Sequence, residues 1–218
     1  MMLHRSTKLA ILFVGAWLLA ACTSAAPTGS ADPLAARGGL PNPVGPSVPR
    51  EIGPSESVAL AYDPADGSLL KADRDGLFRW RADSGWQAID TPHTYGLSGV
   101  VINPDQPTTM YASGPELGVL RSDDGGATWR VINNGLPSLD VTALALHSFR
   151  RETLYVWLRD EGIYRTEDGG LSWKRVPDQG PPDTDVRSLT HSTLPGSMNT
   201  GRLYAATPTG AYLSMDCF

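Results

Sequence analysis

The chain has 218 residues, with 18 lysines and arginines against 23 aspartates and glutamates, which gives a formal net charge of −5. This acidic balance argues against nucleic acid as a partner and against electrostatic adhesion to anionic lipid. Two cysteines in the whole chain are too few for a disulfide framework.

Residues 1–22 have the organisation of an export signal. A basic start with Arg5 and Lys8 precedes an eleven-residue apolar core at 9–19, too short to cross a bilayer as a helix. The core ends in Leu-Ala-Ala-Cys at 19–22, which resembles a bacterial lipobox. The resemblance implies cleavage after residue 21, a diacylglycerol on Cys22 and an exported protein anchored at the membrane of the bacterial cell envelope. The alternative is an ordinary secretory signal in which Cys22 is incidental.

Residues 22–56 are rich in proline, glycine and alanine. This composition predicts a disordered or partly polyproline tether. A flexible coil of this length spans roughly 30 Å, so we expect the folded part at 57–218 to stand off the membrane. Removal of residues 1–21 takes away Arg5 and Lys8 and no acidic residue, which leaves 16 basic and 23 acidic residues and a net charge of −7.

An eight-residue phrase occurs at 122–129 and at 166–173, and begins again at 214–216. A glycine precedes each copy, at Gly118, Gly162 and Gly210, and a weaker unit carries Gly76, so the spacings are 42, 44 and 48 residues. Each unit holds short β-branched or aromatic runs separated by turn residues, which indicates about four strands. No helical period is found after residue 56. Four strands repeated every 40 to 50 residues or so are typical of a β-propeller blade.

We therefore predict an all-β fold, a partial β-propeller of about three and a half to four four-stranded blades. The units span about 57–96, 97–140, 141–185 and 186–218. The third copy of the phrase stops after Asp216, with Cys217 and Phe218 where glycines belong. We expect either a shortened copy of a longer lipoprotein or a ring that partner chains complete. Because the last unit cannot form its final hairpin, we also expect a low stability for the chain alone.

The repeated phrase has the composition of a hairpin turn between the third and fourth strands. Its aspartate can accept hydrogen bonds from its own turn, its glycines tolerate positive φ, and its tryptophan is expected to bury its ring between sheets. A calcium loop would need a distal bidentate glutamate, which neither copy has, so we predict no metal. The residues assigned to this structural role are Ser122, Asp124, Gly126, Thr128, Trp129, Thr166, Asp168, Gly170, Ser172, Trp173, Ser214 and Asp216.

Both complete copies match Ser/Thr-x-Asp-x-Gly-x-Ser/Thr-Trp, and on this motif residues 57–218 resemble the Asp-box, or BNR repeat, β-propellers. This group includes sialidases, xyloglucan-cleaving glycosidases, the sortilin ectodomain and a photosystem II assembly factor. Its members share blades rather than active sites, so the resemblance implies a fold and leaves the function open. We expect a binding or scaffold module for a glycan or protein ligand. The alternatives are a glycoside hydrolase fragment of sialidase or xyloglucanase type and a photosystem II assembly factor.

In the propellers that the chain resembles, ligands bind at the turns between second and third strands and at the loops between blades. A glycosidase needs two carboxylates ~5–10 Å apart, and no pair of acids in these segments stands out. We find no Ser-His-Asp order, phosphate-binding loop or Cys/His cluster, so the catalytic residues are unknown and no cofactor is predicted. The charged candidates on this face are Glu116, Arg159, Asp160, Glu161, Asp178 and Asp183.

Two recurring positions are assigned to the architecture. His147 and His191 occupy the repeat position of Asn103, at the end of a unit's first strand. A hydrogen-bonding side chain just before a turn helps to form that turn, so we predict a structural role for both histidines. Arg121 and Arg165 also share one repeat position, and we predict that they support the blades.

Overall fold

The computed structural model describes residues 59–92, 96–177, 180–192 and 201–214. These residues form fifteen β-strands in four antiparallel sheets, arranged as a four-bladed β-propeller, and they contain no helix. A search of the same ranges for a helix that could span a membrane finds none. The predicted signal peptide, Cys22 and the tether lie outside the described residues. The prediction of an all-β propeller is confirmed for the part that the structure describes.

In every sheet, strands that follow each other along the chain pair with each other. Blade 1 consists of β1 (Ala59–Tyr62), β2 (Leu69–Asp73), β3 (Gly76–Arg81) and β4 (Gly85–Ile89). Blade 2 consists of β5 (Gly99–Ile102), β6 (Met110–Gly114), β7 (Gly118–Ser122) and β8 (Arg130–Val131).

The next two sheets follow the same order. Blade 3 consists of β9 (Val141–Leu146), β10 (Leu154–Leu158), β11 (Gly162–Thr166) and β12 (Lys174–Arg175). Blade 4 consists of β13 (Ser188–Ser192), β14 (Arg202–Thr207) and β15 (Gly210–Leu213). The described part of the last unit is therefore a three-stranded sheet.

The core lies between consecutive blades. It consists of three apolar clusters, one each between blades 1 and 2, 2 and 3, and 3 and 4. Because both faces of blades 2 and 3 are covered, β6 and β10 are buried along their whole length. The inner strands contact each other in the order β1, β5, β9 and β13, whereas no described strand of blade 4 makes a comparable contact with blade 1.

A glycine recurs at the start of each third strand because the backbone there adopts a positive φ. Gly118 and Gly162 have φ values of 72° and 94°, which glycine adopts at little cost. A Cβ on Gly118 would also clash with Oδ1 of Asn133. That oxygen accepts a hydrogen bond from the Val119 N–H at 2.7 Å. The close approach of Asn133 therefore fixes the chain after β8 against the start of β7.

Candidate functional site

The antiparallel sheets place the turns of each blade at two opposite ends. Turns between first and second strands and between third and fourth strands share one end, which we call the motif end because it holds 122–129 and 166–173. Turns between second and third strands and the connections between blades share the other, the pocket end. The predicted ligand-binding segments belong to the pocket end.

At the motif end, the first copy of the phrase is closed by its own side chains. The Ser122 hydroxyl donates to Asp124 Oδ1 at 2.8 Å and accepts from the Gly126 N–H at 2.8 Å. Asp124 also accepts from the Thr128 N–H at 2.8 Å and from the Thr128 hydroxyl at 2.5 Å. Asp124 therefore holds the turn between β7 and β8, as the composition of the phrase predicts.

The second copy repeats this arrangement with the hydroxyl residues exchanged. The Thr166 hydroxyl donates to Asp168 Oδ1 at 2.6 Å. Ser172 donates to Asp168 through its N–H at 3.0 Å and through its hydroxyl at 2.6 Å. In the third copy, the Ser214 N–H donates to the Leu203 carbonyl at 2.9 Å, and Asp216 lies outside the described residues.

The two tryptophans of the phrase pack into the clusters between blades, but to different depths. Trp173 is 3% exposed, and its ring N–H donates to the Ile132 carbonyl of blade 2 at 2.6 Å. Trp129 is only partly buried, and its ring N–H donates to the Gly126 carbonyl of its own turn at 3.2 Å. Trp173 therefore joins two blades through both its packing and its hydrogen bond, whereas the hydrogen bond of Trp129 stays within its own hairpin.

Hydrogen bonding lowers the pKa of both aspartates to about 2. For Asp124 the main causes are the hydroxyl and the N–H of Thr128. For Asp168, burial raises the pKa, and the hydrogen bonds from Ser172 and Thr166 outweigh that effect. A carboxylate that stays ionised down to this pH is a poor proton donor near neutral pH. The motif end is therefore suited to fastening hairpins rather than to acid–base chemistry.

Arginines connect neighbouring blades at the motif end. Arg121 of blade 2 donates through Nη1 to the Gly169 carbonyl of blade 3 at 3.1 Å. Arg79, at the same repeat position in blade 1, reaches the Gly125 carbonyl of blade 2 at 3.4 Å. These contacts agree with the predicted architectural role of Arg121.

His147 forms the turn between β9 and β10. Its Nδ1 accepts hydrogen bonds from the N–H groups of Phe149 and Arg150, both at 3.0 Å. In blade 2 the Asn103 side chain accepts from the Asp105 N–H at 3.0 Å in the same way. The predicted turn-forming role of His147 is confirmed.

His191 lies one position away from the predicted site. It sits within β13, opposite Leu203, so the register places Ser192 at the position of His147. The prediction of a shared position is therefore wrong, because the spacing between units does not reveal a one-residue offset in register. Instead, the His191 ring stacks on His147, with centroids 3.9 Å apart. The stack joins blades 3 and 4.

At the pocket end, a cavity of about 390 Å³ opens between the blades. Arg74 and Arg159 reach it from the β2–β3 and β10–β11 turns, and Pro115 from the β6–β7 turn. Asp185 and Arg187 reach it from the chain that leads into blade 4. Three arginines from distant parts of the chain therefore converge on one cavity.

Ion pairs orient two of these arginines. Arg159 Nε donates to Asp140 Oδ2 at 2.9 Å, and Arg187 Nη2 donates to Asp185 Oδ2 at 3.0 Å. The side chains of Arg159 and Arg187 are 47% and 58% exposed, so both also face solvent. Asp140 Oδ1 is buried and accepts no hydrogen bond from the described residues.

Of the six charged residues predicted for this face, Arg159 lines the cavity. Glu116 lies in the β6–β7 turn and Asp160 in the β10–β11 turn, with left-handed φ values of 62° and 61°. Asp183 accepts hydrogen bonds from the Asp185 N–H and the Thr209 hydroxyl, both at 3.0 Å, and hydrogen bonding lowers its pKa. Glu161 lies in the β10–β11 turn, and Asp178 lies outside the described residues. Ligand contact by these acids stays a prediction.

A second cavity, of about 530 Å³, follows the inner strands of all four blades. Small and apolar side chains dominate its walls, with Arg151 and His191 toward the motif end. Ser98 and Arg187 line both cavities, so the two adjoin. The arginine-lined cavity therefore borders the inner cavity on the side of the pocket end.

No protein-family model and no curated protein sequence matches the chain. Solved structures do match over 72% of it: an ancestral GH74 enzyme (16% identity, TM-score 0.56, 22% of that chain), the GH74 enzyme of Niastella koreensis (18%, 0.55, 28%) and a chain of the nidogen/laminin complex (16%, 0.54, 63%). The chain thus spans less than two thirds of each of these structures. At these identities the likeness shows the fold alone, a β-propeller like that of the GH74 enzymes.

Proposed function

We propose that the chain is an exported, membrane-anchored β-propeller of the Asp-box type that works as a binding module and holds an acidic ligand at the pocket end. The observation that carries the proposal is the convergence of Arg74, Arg159 and Arg187 on one cavity. At this cavity Arg159 pairs with Asp140, and Arg187 pairs with Asp185.

The geometry favours a carboxylate-bearing glycan or peptide. Guanidinium groups bind carboxylates through charge-assisted and often bidentate hydrogen bonds. The pair between Arg159 and Asp140 engages Nε, one of three guanidinium nitrogens, and it fixes the side chain at the rim of the cavity. A pre-oriented arginine loses less freedom when a ligand arrives than a mobile one does.

Arg159→Gln is expected to weaken the binding of an acidic ligand about 10- to 100-fold, because a hydrogen bond to a charged group contributes about 1.5–3 kcal/mol. The measurement is titration calorimetry of the chain without residues 1–21. The probes are oligogalacturonide, which has one carboxylate per sugar, and a polyglutamate peptide. A neutral xyloglucan oligosaccharide serves as the comparison, and affinity for the acidic probe should fall with added salt.

Arg130→Gln is the matched control. Arg130 is 48% exposed and pairs with Asp123 at 3.3 Å, but it lies at the motif end. Binding should survive this substitution. Equal loss in both variants, or no binding of either acidic probe by the unchanged chain, would refute the acidic-ligand proposal.

Cys22→Ala is expected to release the protein from the membrane, because the substitution removes the proposed acceptor of the lipid. A single acyl chain gives only marginal attachment, so stable anchoring depends on several chains at this residue. The measurement is membrane fractionation after labelling with an alkyne fatty acid. The unchanged chain should be labelled and sediment with membranes, and the variant should do neither. An unlabelled wild-type chain would favour the ordinary secretory signal.

A glycoside hydrolase fragment is the second candidate, supported by the fold shared with GH74 enzymes and by the acids of the β10–β11 turn. Hydrolysis needs one carboxyl group with a raised pKa as the proton donor. Asp183 has a lowered pKa, which opposes this role. Binding stays the first proposal, because the three arginines that line the cavity carry it. If the purified chain released reducing sugar from xyloglucan, the proposal of a binding module would be wrong and the hydrolase would take its place.

A further inference from the structure

Among the residues that the structure describes, no blade covers one sheet face of blade 1. The pairing of β1, β2 and β3 aligns Leu60 with Lys71 and Phe78, and Tyr62 with Leu69. Leu60 and Tyr62 are 64% and 61% exposed. We call these five positions the leading face of blade 1, because the equivalent positions of the other blades face the preceding blade.

Blades 2 and 3 bury the equivalent positions. The registers equate Leu60 with Val100 and Leu144, which are 3% and 6% exposed. One strand further out, Met110 and Leu154 are fully buried. These side chains pack in the clusters shared with the preceding blade. The leading face of blade 1 therefore has the composition of a surface that another blade covers.

Blade 4 presents the complementary surface. The registers align Thr190, Tyr204 and Leu213 on its far side, which we call the trailing face of blade 4. Tyr204 is equivalent to Tyr111 and Tyr155, which are 0% and 3% exposed on the trailing faces of blades 2 and 3. On blade 4 this face is open, and Leu213 is 38% exposed.

The three internal interfaces show which surfaces fit together. In each of them a leading face with large side chains packs on a trailing face with smaller ones on the inner strand, such as Ala61 in blade 1 and Ala145 in blade 3. Thr190 holds the same position in blade 4. The two open faces belong to the first and last blades. Their described strands make no extensive contact with each other, so these strands do not cover the two faces within one chain.

We infer that two copies of this chain pair head to tail, with the leading face of blade 1 of each copy on the trailing face of blade 4 of the other. An interface between unlike surfaces closes into a ring when the rotation per subunit allows it. Two four-bladed chains related by a two-fold axis make eight blades, which lies within the range of closed propellers. Closure covers Leu60 and Tyr62 in both copies.

Sedimentation velocity tests the pairing on the chain without residues 1–21. Reducing buffer excludes a disulfide between copies through Cys22 or Cys217. The unchanged chain should sediment at twice the mass of one chain. Ala206 lies two residues after Tyr204 in β14, so it also belongs to the trailing face. Tyr62→Asp on the leading face and Ala206→Arg on the trailing face should each give monomers, because each buries a charge in both copies of the interface. Both side chains are exposed in the single chain, so folding should be retained, which circular dichroism checks.

Leu171→Asp is the control, since Leu171 is 64% exposed in a turn of blade 3, away from both faces. This variant should remain a dimer. A mixture of Tyr62→Asp and Ala206→Arg keeps one intact pair of faces and should form a weaker one-to-one complex. A monomeric wild-type chain, a dimer that survives Tyr62→Asp, or oligomers that keep growing with concentration would each overturn the closed ring.

Discussion

Trp173→Ala is expected to lower the free energy of unfolding by about 3–5 kcal/mol, as large-to-small substitutions of buried aromatics do. The ring is 3% exposed within the cluster between blades 2 and 3. Its loss leaves a cavity and also leaves the buried Ile132 carbonyl without the 2.6 Å hydrogen bond from Nε1. Because the same side chain contacts two blades, the loss acts on the joint between them as well as on one hairpin.

Trp129→Ala is the matched control, since Trp129 has the same place in the first copy of the phrase. Its ring is partly buried and bonds within its own turn, so the loss should be smaller. The loss in the free energy of unfolding for Trp173→Phe should fall between the losses for Trp129→Ala and Trp173→Ala. This substitution keeps most of the apolar area and removes the hydrogen-bond donor at a cost of about 1–3 kcal/mol. Urea denaturation followed by circular dichroism gives the three values. Equal losses at Trp129 and Trp173 would contradict a joint between blades.

The sequence predicts the blades well because each blade is specified locally. Gly118 and Gly162 end the turn before the third strand, and Asp124 and Asp168 close the turn after it, so turn chemistry repeats with the fold. Strand existence follows from short apolar runs between these turns. Such signals need no knowledge of distant residues, which is why the four units are readable from the chain alone.

Contacts between blades are less predictable, because they depend on register. By its spacing along the chain, His191 matches His147 of the preceding unit. In the structure, however, His191 pairs with Leu203, and its ring stacks on His147 of blade 3. The arginine-lined cavity is harder still to predict from the sequence, since Arg187 lies near Arg74 and Arg159 only once the blades have packed together. Arg74 had a local signal: like Arg159, it is the first residue of the turn between second and third strands.

His147 should make the stability of the protein fall as the pH drops from about 6.5 to about 4. Burial is the main reason that the pKa of His147 is lowered to about 4, and His191, Arg150 and Arg151 add repulsion. The unfolded chain therefore binds more protons than the folded one between these pH values. The contribution is complete above pH 6.5 or so, and its loss on acidification reaches up to about 3 kcal/mol.

His147→Asn tests this assignment without removing the turn, because Asn103 performs the same capping in blade 2 with its side-chain oxygen. Urea denaturation from pH 4.5 to 7.5 should show the stability of the wild-type chain rising with pH more steeply than that of the variant. Asp124 and Asp168 have a pKa of about 2 in the folded chain against 3.8 in the unfolded one, so their effect on the slope lies mostly below this window. Both proteins keep these two carboxyl groups, so their effect is common to the two curves. Parallel curves for the two proteins would show that His147 does not titrate on unfolding. A steeper wild-type curve would mean that the folded chain, in which His147 is buried and stacks on His191 between blades 3 and 4, favours the neutral His147 ring.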